Sequence, residues 1–396
     1  MSQAFEDVRI IDFTQVFAGP FAVMQLALLG AEVIKVEQPG TGDQTRGLMN
    51  ADSASGASPS FLTMNLNKQS LTLNLKSPEA DTIVKALVAT ADVVVENFKA
   101  GTMDKMGFGF EALRAIKPDL IYCSISGYGQ TGPKAGEAAY DGAIQAASGM
   151  MSQNGHPETG PTRTGFMPVD MSTAMHAAFA IASALHRKAK TGQGQQIDLA
   201  MMDTALLLQA AQISNLKNQG QLNPLQGNAS PTGQPTADVF PTKDGFIQIT
   251  ALRQNQVEAL FDAFGQSDQL LDTRYATPDD RKANADVVKA FCVNELSLKP
   301  TSHWLDTLAA KGIPVAEVRD LPAMLEEPQL KHRQVVQAID KHGEQITVVT
   351  SGYITDADGP SIRSPSPDLG SDTDNILESI GFDPTQIKQW RDENVI

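Results

Sequence analysis

Runs of apolar and β-branched residues recur up to about residue 200, and helix-like segments separate them. Because these runs are short and lack helical spacing, they predict buried strands. The predicted strands are Val8–Thr14, Ala31–Glu37, Ser70–Leu75, Asp92–Asn97, Leu120–Gly127 and Gln195–Met201. Strands that are separated by helices predict a mostly parallel sheet, whose ligands bind beyond the carboxyl ends of the strands.

Helical spacing follows Pro20 and stops at Gly30, where glycine is a common helix end. Ser77 is the predicted N-cap of a second helix, with Pro78 in its first turn. Further helices are predicted over Glu137–Ala189 apart from a loop at 154–164, over Asp203–Leu216, and over a last segment at Asp372–Ile380.

The composition changes at Asn218–Thr236, which is rich in Gly, Pro, Asn and Gln and is typical of a linker or a binding loop. Beyond it, Lys243-Asp244-Gly245 lies between apolar segments and predicts a hairpin. We therefore predict an α/β protein with a large Rossmann-like domain over 1–220 and a smaller α+β domain over 225–325. The C-terminal segment, residues 326–396, is predicted to return to the large domain.

The charge balance excludes several classes of partner. Asp and Glu number 46 against 31 Lys and Arg, which gives a net charge of −15, and no basic stripe is visible. Nucleic acid and anionic membrane surfaces are therefore not expected as partners. The chain also shows no secretory signal and no uninterrupted apolar stretch of transmembrane length, so we expect a cytoplasmic protein.

Metal chemistry finds no support in the sequence. The two cysteines, Cys123 and Cys292, are too few for a disulfide framework or a cysteine-based metal site. The six histidines are scattered without the spacing of a zinc site. No metal ligand is therefore predicted.

Polar residues stand at the ends of the predicted elements, in Asp12–Pro20, Glu96-Asn97-Phe98, Ala139-Tyr140-Asp141 and Pro168–Ser172. Asp170 has two interpretations. It is a favoured N-cap residue ahead of a long helix. It is also a candidate nucleophile, because neighbouring backbone N–H groups at a helix start stabilise the intermediates that such a carboxylate forms.

Several motifs, in order, resemble the family III CoA-transferases, a group that includes formyl-CoA, carnitine-CoA and bile-acid CoA-transferases and is related to 2-methylacyl-CoA racemases. The matching segments include Val8–Gly47, Leu73–Ala80, Asp92–Leu113, Ile121–Pro133, Tyr140–Met151, Met167–Asp203, Gly312–Val318 and Ser366–Phe382, together with the hairpin at Asp244-Gly245. The resemblance covers nearly the whole chain and is weakest between about 210 and 330.

The resemblance implies an enzyme that moves coenzyme A from an acyl-CoA to a small carboxylic acid. Asp170 matches the family's nucleophile, which forms a mixed anhydride and then an aspartyl-CoA thioester. No tightly bound cofactor is implied, since coenzyme A is itself a substrate. The resemblance also implies an interlocked homodimer whose active sites lie between the large domain of one chain and the small domain of its partner.

The resemblance assigns site residues to two groups. The first comprises the catalytic groups beside Asp170, which are Gln15, Tyr140, Asp141, Gly233 and Gln234. The second comprises the residues expected to hold coenzyme A, which are Val16, Phe17, Ala18, Gln38, Arg46, Leu73, Asn97, Phe98 and Lys105. Arg46 and Lys105 are expected to meet phosphates.

Departures from the family bear on the substrate. The formyl-CoA transferases carry glutamine where Phe17 stands and arginine where Gln38 stands, which argues against oxalate-type specificity. The racemases carry a His-Asp pair where this chain has Tyr140-Asp141. Racemisation needs a base on each face of the α-carbon, and tyrosine is a poor base at neutral pH. The sequence therefore favours a transferase over a racemase or epimerase, and a non-catalytic CoA-binding protein is the third alternative.

Overall fold

The computed structural model describes residues 3–48 and 57–396, which form two compact units. The first unit comprises the described residues of Met1–Ser148 together with Thr164–Ile213 and Pro328–Ile396. The second comprises Gly149–Arg163 and Ser214–Glu327. The predicted large domain of residues 1–220 thus lacks a short internal segment, which groups with the second unit.

The strands, in chain order, are β1 (Arg9–Asp12), β2 (Glu32–Glu37), β3 (Lys68–Thr72), β4 (Val93–Glu96), β5 (Ile121–Ser126), β6 (Gly155–His156), β7 (Gly160–Pro161), β8 (Gln195–Ala200), β9 (Ala237–Pro241), β10 (Phe246–Thr250), β11 (Val315–Glu317), β12 (Val336–Lys341) and β13 (Glu344–Val349).

The helices are α1 (Ala18–Leu28), α2 (Pro59–Met64), α3 (Ala80–Ala89), α4 (Thr102–Lys105), α5 (Phe110–Arg114), α6 (Asp141–Ala147), α7 (Pro168–Thr191), α8 (Met201–Leu208), α9 (Ala210–Gln219), α10 (Gln254–Ala263), α11 (Pro278–Ala283), α12 (Ala285–Leu296), α13 (Thr301–Ala310), α14 (Leu321–Leu325), α15 (Pro328–Arg333), α16 (Thr373–Ser379) and α17 (Pro384–Asp392).

A six-stranded sheet forms the centre of the first unit, with the strand order β3-β2-β1-β4-β5-β8. Every neighbouring pair of strands is parallel, as the sequence predicted. The strand order reverses between β1 and β4, which is the topological switch point of a doubly wound sheet. A crevice for ligands is expected at the carboxyl ends of these two strands.

Helices cover both faces of this sheet. On one face, α1 and α7 pack against Ile10, Val33 and Val93. On the other face, α3, α5, α16 and α17 pack against Ile11 and Ile34. Each fully buried aliphatic side chain contributes about 1.5–3 kcal/mol, so the two apolar layers fix the positions of the strand ends.

Within the region Glu137–Ala189, the loop predicted at 154–164 is present but is longer at both ends than expected. The structure has α6 and α7 there, and residues 148–167 between them are not α-helical. This segment contains Pro157, Pro161 and four glycines, which disfavour a continuous helix. α7 itself is rich in alanine and ends at Gly192, whose φ of 69° suits a helix C-terminus.

Three further predictions of helix ends need correction. The predicted helix Asp203–Leu216 is divided at Gln209 into α8 and α9. The residue that precedes α3 as its N-cap is Glu79 and not Ser77, although the Ser77 hydroxyl accepts a hydrogen bond from Ala80 N at 3.2 Å. The last helix is α17, which the sequence analysis missed although Asp383 and Pro384 form a recognisable helix start.

The second unit has its own core. β9 and β10 form the predicted antiparallel hairpin, and β11 completes a three-stranded sheet. Helices α10, α12 and α13 cover this sheet and contribute to an apolar cluster that includes Phe261, Val288 and Trp304. Edge-on and stacked aromatic contacts around Phe261 add to this packing.

The C-terminal segment lies on the first unit. Arg363 donates hydrogen bonds to the carbonyl groups of Ala27 and Ala31 at 2.9 and 3.3 Å, near the end of α1. A cation at this end also interacts favourably with the helix dipole. Asp372 accepts a hydrogen bond from Ser70 N at 2.9 Å, which joins the segment to β3.

Within the described residues, no helix combines the length and apolar character needed to cross a membrane.

The loop between β1 and α1 packs against the start of its own helix, and this contact predicts the effect of a mutation. A Cβ atom on Gly19 would lie 2.3 Å from Thr14 Cβ, whereas a Cβ atom on Gly352 would meet nothing within 4 Å. We expect Gly19→Ala to lower the free energy of unfolding by about 1–3 kcal/mol, although alanine favours helices, because the overlap forces the loop to move. Urea unfolding measures the difference. Gly352→Ala is the control, and equal stability of the two variants would contradict the close packing.

Candidate active site

A cavity of about 250 Å³ opens in the first unit beyond the carboxyl ends of β1, β4 and β5. Its position agrees with the expectation for a parallel sheet whose strand order reverses between β1 and β4. Its lining consists of Gln15, Val16, Phe17, Ala18, Gln44, Asn97, Phe98, Lys99, Ile125, Ser126, Gly127, Glu137, Ala138, Ala139, Tyr140, Asp170 and Met201.

The loop that follows β1 forms one wall of this cavity. Asn97, which follows β4, donates from Nδ2 to Gln15 O at 2.7 Å and accepts from Gln15 N through Oδ1 at 2.8 Å. The two strand ends at the switch point are thus joined by a pair of hydrogen bonds. Val16 has a φ of 70°, which costs a β-branched residue about 1–3 kcal/mol and indicates a locally strained backbone.

Two residues of this wall have backbone N–H groups without a partner among the described residues. Phe17 and Ala18 line the cavity at the start of α1, and neither backbone N–H donates a hydrogen bond within the part of the chain that the structure describes. The N-cap residue of this helix is Phe17, whose side chain makes no capping hydrogen bond. Free N–H groups at a helix start attract negative charge, so this wall can stabilise an oxyanion.

Asp170 enters the cavity from the start of α7. It is the third residue of the helix, and Met167 occupies the N-cap position, so the interpretation of Asp170 as a plain N-cap is wrong. Its residue is 9% exposed. Within the described residues, its carboxylate accepts no hydrogen bond and forms no ion pair, which leaves both oxygens available to a ligand.

The carboxylate of Asp141 caps α7 in place of Asp170. Its Oδ2 accepts hydrogen bonds from Val169 N at 2.8 Å and from Asp170 N at 3.1 Å. Gln145 donates to the other oxygen of Asp141 at 2.5 Å. Asp141 therefore satisfies the helix start and fixes the backbone of Asp170, while its own oxygens are occupied.

Burial raises the pKa of Asp170 to about 7, and the negative charge of Asp141 acts in the same direction. No hydrogen bond compensates by stabilising the charged form. A carboxylate in this state is ionised in a large fraction of molecules near neutral pH and is more basic than an ordinary aspartate. Both properties suit a nucleophile.

The structure brings eight of the predicted site residues together at the cavity. These are Gln15, Val16, Phe17, Ala18, Asn97, Phe98, Tyr140 and Asp170. Tyr140 is 64% exposed and lies directly before α6. Its side chain is therefore accessible to solvent in this unit.

Four predicted CoA-binding residues lie outside the cavity lining. Gln38 and Lys105 are exposed, and Leu73 is buried in the apolar core. Arg46 differs most from its predicted role as a phosphate anchor. It forms two hydrogen bonds of 2.7 Å with Glu37 and lies over the ring of Phe61, so its guanidinium group already has buried partners.

The remaining predicted residues have different surroundings. Asp141 is buried behind Asp170 and does not line the cavity. Gly233 and Gln234 belong to the second unit. Gly233 has a φ of 71°, and the Gln234 amide donates to Pro278 O at 3.2 Å.

Several lining residues were not predicted, although some of them had a visible signal in the sequence. Lys99 directly follows the predicted pair Asn97-Phe98, and Glu137 precedes the segment that contains Tyr140. Met201 ends the predicted strand Gln195–Met201, whereas Gln44 had no such signal, because only the folded chain brings it to the cavity. Among the described residues, no group of three or more His, Cys, Asp or Glu side chains is arranged to hold a metal ion.

Comparisons with known proteins place this site in a family context. The family model for CoA-transferase family III matches residues 5–373. Succinate–glutarate CoA-transferase of Agrobacterium fabrum is 34% identical over 94% of this chain and 94% of its own length. Acetyl-CoA:oxalate CoA-transferase of Acetobacter aceti is 37% identical over 92% of each chain. The crystal structure of a CAIB/BAIF family protein from Brucella suis matches with a TM-score of 0.87 and 32% identity, and the match covers 96% of this chain and 100% of that chain.

The raised pKa of Asp170 predicts a pH-dependent effect on stability. The folded state disfavours the charged form of Asp170. The free energy of unfolding therefore decreases as the pH rises from 3.8, the ordinary pKa of an aspartate, to about 7, the pKa of Asp170 in the folded protein. We expect Asp170→Asn to be more stable than the wild type at pH 8, by on the order of a few kcal/mol. The difference should become small near pH 4, where both side chains are neutral in the folded protein. Thermal unfolding between pH 4 and pH 8 measures it.

Asp119→Asn is the control with the opposite sign. Its carboxylate pairs with Lys117 and Lys188, and hydrogen bonds to these lysines lower the pKa of Asp119 to about 2, against the opposing effect of burial. This substitution should therefore reduce stability at pH 8. A variant at Asp170 that is less stable than the wild type at pH 8 would contradict a buried carboxylate with a raised pKa.

Proposed function

The chain belongs to CoA-transferase family III and is a CoA-transferase, and we propose that Asp170 carries the transferred groups through covalent bonds to its own carboxyl carbon and oxygen. The state of the Asp170 carboxylate supports this role. This carboxylate is buried in the cavity, accepts no hydrogen bond from the described residues, and has its pKa raised to about 7.

In the first half of the reaction, a carboxylate oxygen of Asp170 attacks the thioester carbonyl of the acyl-CoA donor. The electron pair of the C–S bond leaves with sulfur as the CoA thiolate, and an acyl–aspartyl anhydride remains. The thiolate then attacks the aspartyl carbonyl carbon and expels the donor acid as a carboxylate. The product is an aspartyl-CoA thioester, which retains the energy of the original thioester bond.

The second half repeats these steps in reverse order. The carboxylate of the acceptor acid attacks the aspartyl-CoA thioester and releases the thiolate. The thiolate attacks the acyl carbonyl of the new anhydride, which yields the acceptor CoA ester and restores the Asp170 carboxylate. No net proton transfer and no external oxidant or reductant is needed.

Each attack places a negative charge on a carbonyl oxygen. Phe17 and Ala18 line the same cavity as Asp170, and their backbone N–H groups have no partner among the described residues. We assign them as oxyanion donors, because fixed N–H groups stabilise such charge without reorganisation. The helix dipole of α1 acts in the same direction.

The substrates that fit this site are acyl-CoA esters and small carboxylic acids. Relatives are named for succinate and glutarate, for acetyl-CoA and oxalate, and for succinyl-CoA and mesaconate. Lys99 is the only cationic side chain in the described cavity lining, and it is exposed. It is suited to attract an anionic group of either substrate at the entrance.

The racemase alternative fits this geometry less well. The carboxylate of Asp141 is 5% exposed and accepts hydrogen bonds from Val169, Asp170 and Gln145. It is therefore not available to remove a proton from a substrate carbon. Tyr140 replaces the histidine of the racemases, so the pair of bases that racemisation requires is incomplete.

The assembly that we propose is a homodimer of the interlocked type expected from the resemblance. Apolar side chains of α7 and α8 support it, since Met175, Phe179 and Leu207 are 50%, 73% and 56% exposed in the single chain. Exposed apolar side chains grouped on adjoining helices are typical of an interface. In this assembly, Gly233 and Gln234 would be supplied to Asp170 by the partner copy.

A trapping experiment tests the role of Asp170. We expect the wild type, given succinyl-CoA or acetyl-CoA and hydroxylamine, to acquire a hydroxamate on the peptide that contains Asp170. Transfer to glutarate or oxalate should fall by about 10³-fold or more in Asp170→Asn, because the covalent route is lost. Mass spectrometry of the peptides and of the CoA esters provides both measurements.

Asp203→Asn is the matched control, since Asp203 is an exposed aspartate in the first turn of α8 and does not line the cavity. It should retain transfer activity and the trapped adduct. Undiminished transfer by Asp170→Asn would refute the nucleophile. Tight CoA binding by the wild type without turnover of any acid would favour a non-catalytic protein instead.

Sedimentation equilibrium tests the assembly. We expect twice the chain mass of 42.4 kDa at micromolar concentration and after dilution to nanomolar concentration, because interlocked chains separate only by unfolding. Phe179→Asp should prevent the dimer from forming, since it places a charge in the apolar surface. Leu271→Asp, at a residue of the second unit that is 84% exposed, is the control. A wild-type monomer with full transfer activity would exclude the proposed assembly.

A further inference from the structure

A buried ion pair lies directly behind the strained loop of the cavity. Lys35, in β2, and Asp43 have side chains that are 0% exposed, and Lys35 Nζ lies 2.9 Å from Asp43 Oδ2. Neither residue lines the cavity. The role proposed above for Asp170 therefore makes no direct use of them.

Both members of the pair bind the backbone of the loop. Lys35 Nζ donates to Thr14 O at 2.7 Å. Asp43 Oδ1 accepts from Val16 N at 3.2 Å. The loop is thus held on either side of Gln15, and one of the two contacts is made by the residue with the positive φ.

Asp43 is itself held in one orientation. Its Oδ1 also accepts from Thr45 N at 2.9 Å and from Thr45 Oγ1 at 2.7 Å. Its backbone N–H donates to Glu37 Oε2 at 3.0 Å. Because Oδ1 has three donors and Oδ2 faces Lys35 Nζ, a change in the charge of this carboxylate is transmitted to Val16 and not absorbed by rotation of the side chain.

Stability alone does not account for this arrangement. A buried ion pair loses its hydration, and apolar residues of similar volume often serve a fold equally well. Glycine at position 16 would adopt the same φ without strain. The chain has instead a β-branched residue in a left-handed conformation, held by a buried ion pair, directly before the two free N–H groups at the start of α1. Strain of this kind is concentrated at functional sites.

We propose that Lys35 and Asp43 are positioning residues, which hold Val16 in its left-handed conformation and thereby aim the N–H groups of Phe17 and Ala18 at the oxyanion of the transfer reaction. This inference rests on the proposed function, in which those N–H groups stabilise the charge. Neither residue touches the substrate, and both act through the backbone of the loop.

The proposal predicts a specific kinetic pattern. Asp43→Asn should lower kcat by about 10- to 100-fold with KM changed by less than about two-fold, because misplaced oxyanion donors act on the transition state and not on the bound substrate. Val16→Gly, combined with Asp43→Asn, should recover at least about five-fold of the lost kcat, because glycine adopts the left-handed conformation without the clamp. A merely structural role for Asp43 gives no reason for that recovery.

Two further variants serve as a control and as a substitute for Asp43→Asn. Asp92→Asn removes an ion pair with Lys188 in the same unit, away from the loop, and should leave kcat unchanged. If Asp43→Asn does not fold, Thr45→Val removes one hydrogen bond to Asp43 Oδ1 and should lower kcat by a few fold, again with KM unchanged and again with recovery in Val16→Gly. Circular dichroism and thermal unfolding establish that each variant is folded.

Two results would overturn the proposal. One is a folded Asp43→Asn or Thr45→Val variant with the kcat of the wild type. The other is a loss of kcat that Val16→Gly does not reverse. A failure of the proposed function is recognised separately, because the wild type would then form no hydroxamate at Asp170, whatever the variants at residue 43 do.

Discussion

The reversal of strand order between β1 and β4 is the constraint on which the site depends. The chain leaves β1 toward α1 on one face of the sheet and leaves β4 toward α4 and α5 on the other. Because the two connections run to opposite faces of the sheet, a space opens between them that neither α1 nor the helices after β4 can fill. The hydrogen bonds between Gln15 and Asn97 join the two sides of this space at its floor. The other lining residues, including Tyr140 and Asp170, surround the space between these two connections.

Two aspartates near the cavity have opposite surroundings. The carboxylate of Asp141 accepts hydrogen bonds from the N–H groups at the start of α7 and from Gln145, whereas the carboxylate of Asp170 has no such partner among the described residues. The same charge that stabilises the helix start makes the neighbouring carboxylate harder to ionise. Asp141 thus has a structural role and Asp170 is suited to a reactive one. The two residues are of the same type, and the difference lies in the hydrogen bonds that their carboxylates accept.

The sequence predicted the parallel sheet well, because strands that are buried on both faces are continuous apolar runs with few alternatives. The same pattern placed Gln15 and Asn97 at the ends of predicted strands, and the family resemblance assigned their roles in the site. Prediction from the sequence failed where the outcome depends on distant partners. Arg46 stands in a motif suited to phosphate binding, yet Glu37 and Phe61 enclose it. That Asp141 caps α7 could not be derived from local spacing, since the two lie 28 residues apart at the contact with Val169.

The discontinuous makeup of the first unit has a consequence for how the protein is made. One face of the central sheet is covered by α3 and α5 together with α16 and α17, and Ile376 and Trp390 of these last helices belong to the same apolar cluster as Ile11 and Ile34. During translation, the strands emerge from the ribosome well before the helices that complete this face. The nascent sheet must therefore remain partly uncovered while the second unit is synthesised, and this interval is when the polypeptide is most exposed to aggregation and most in need of chaperones.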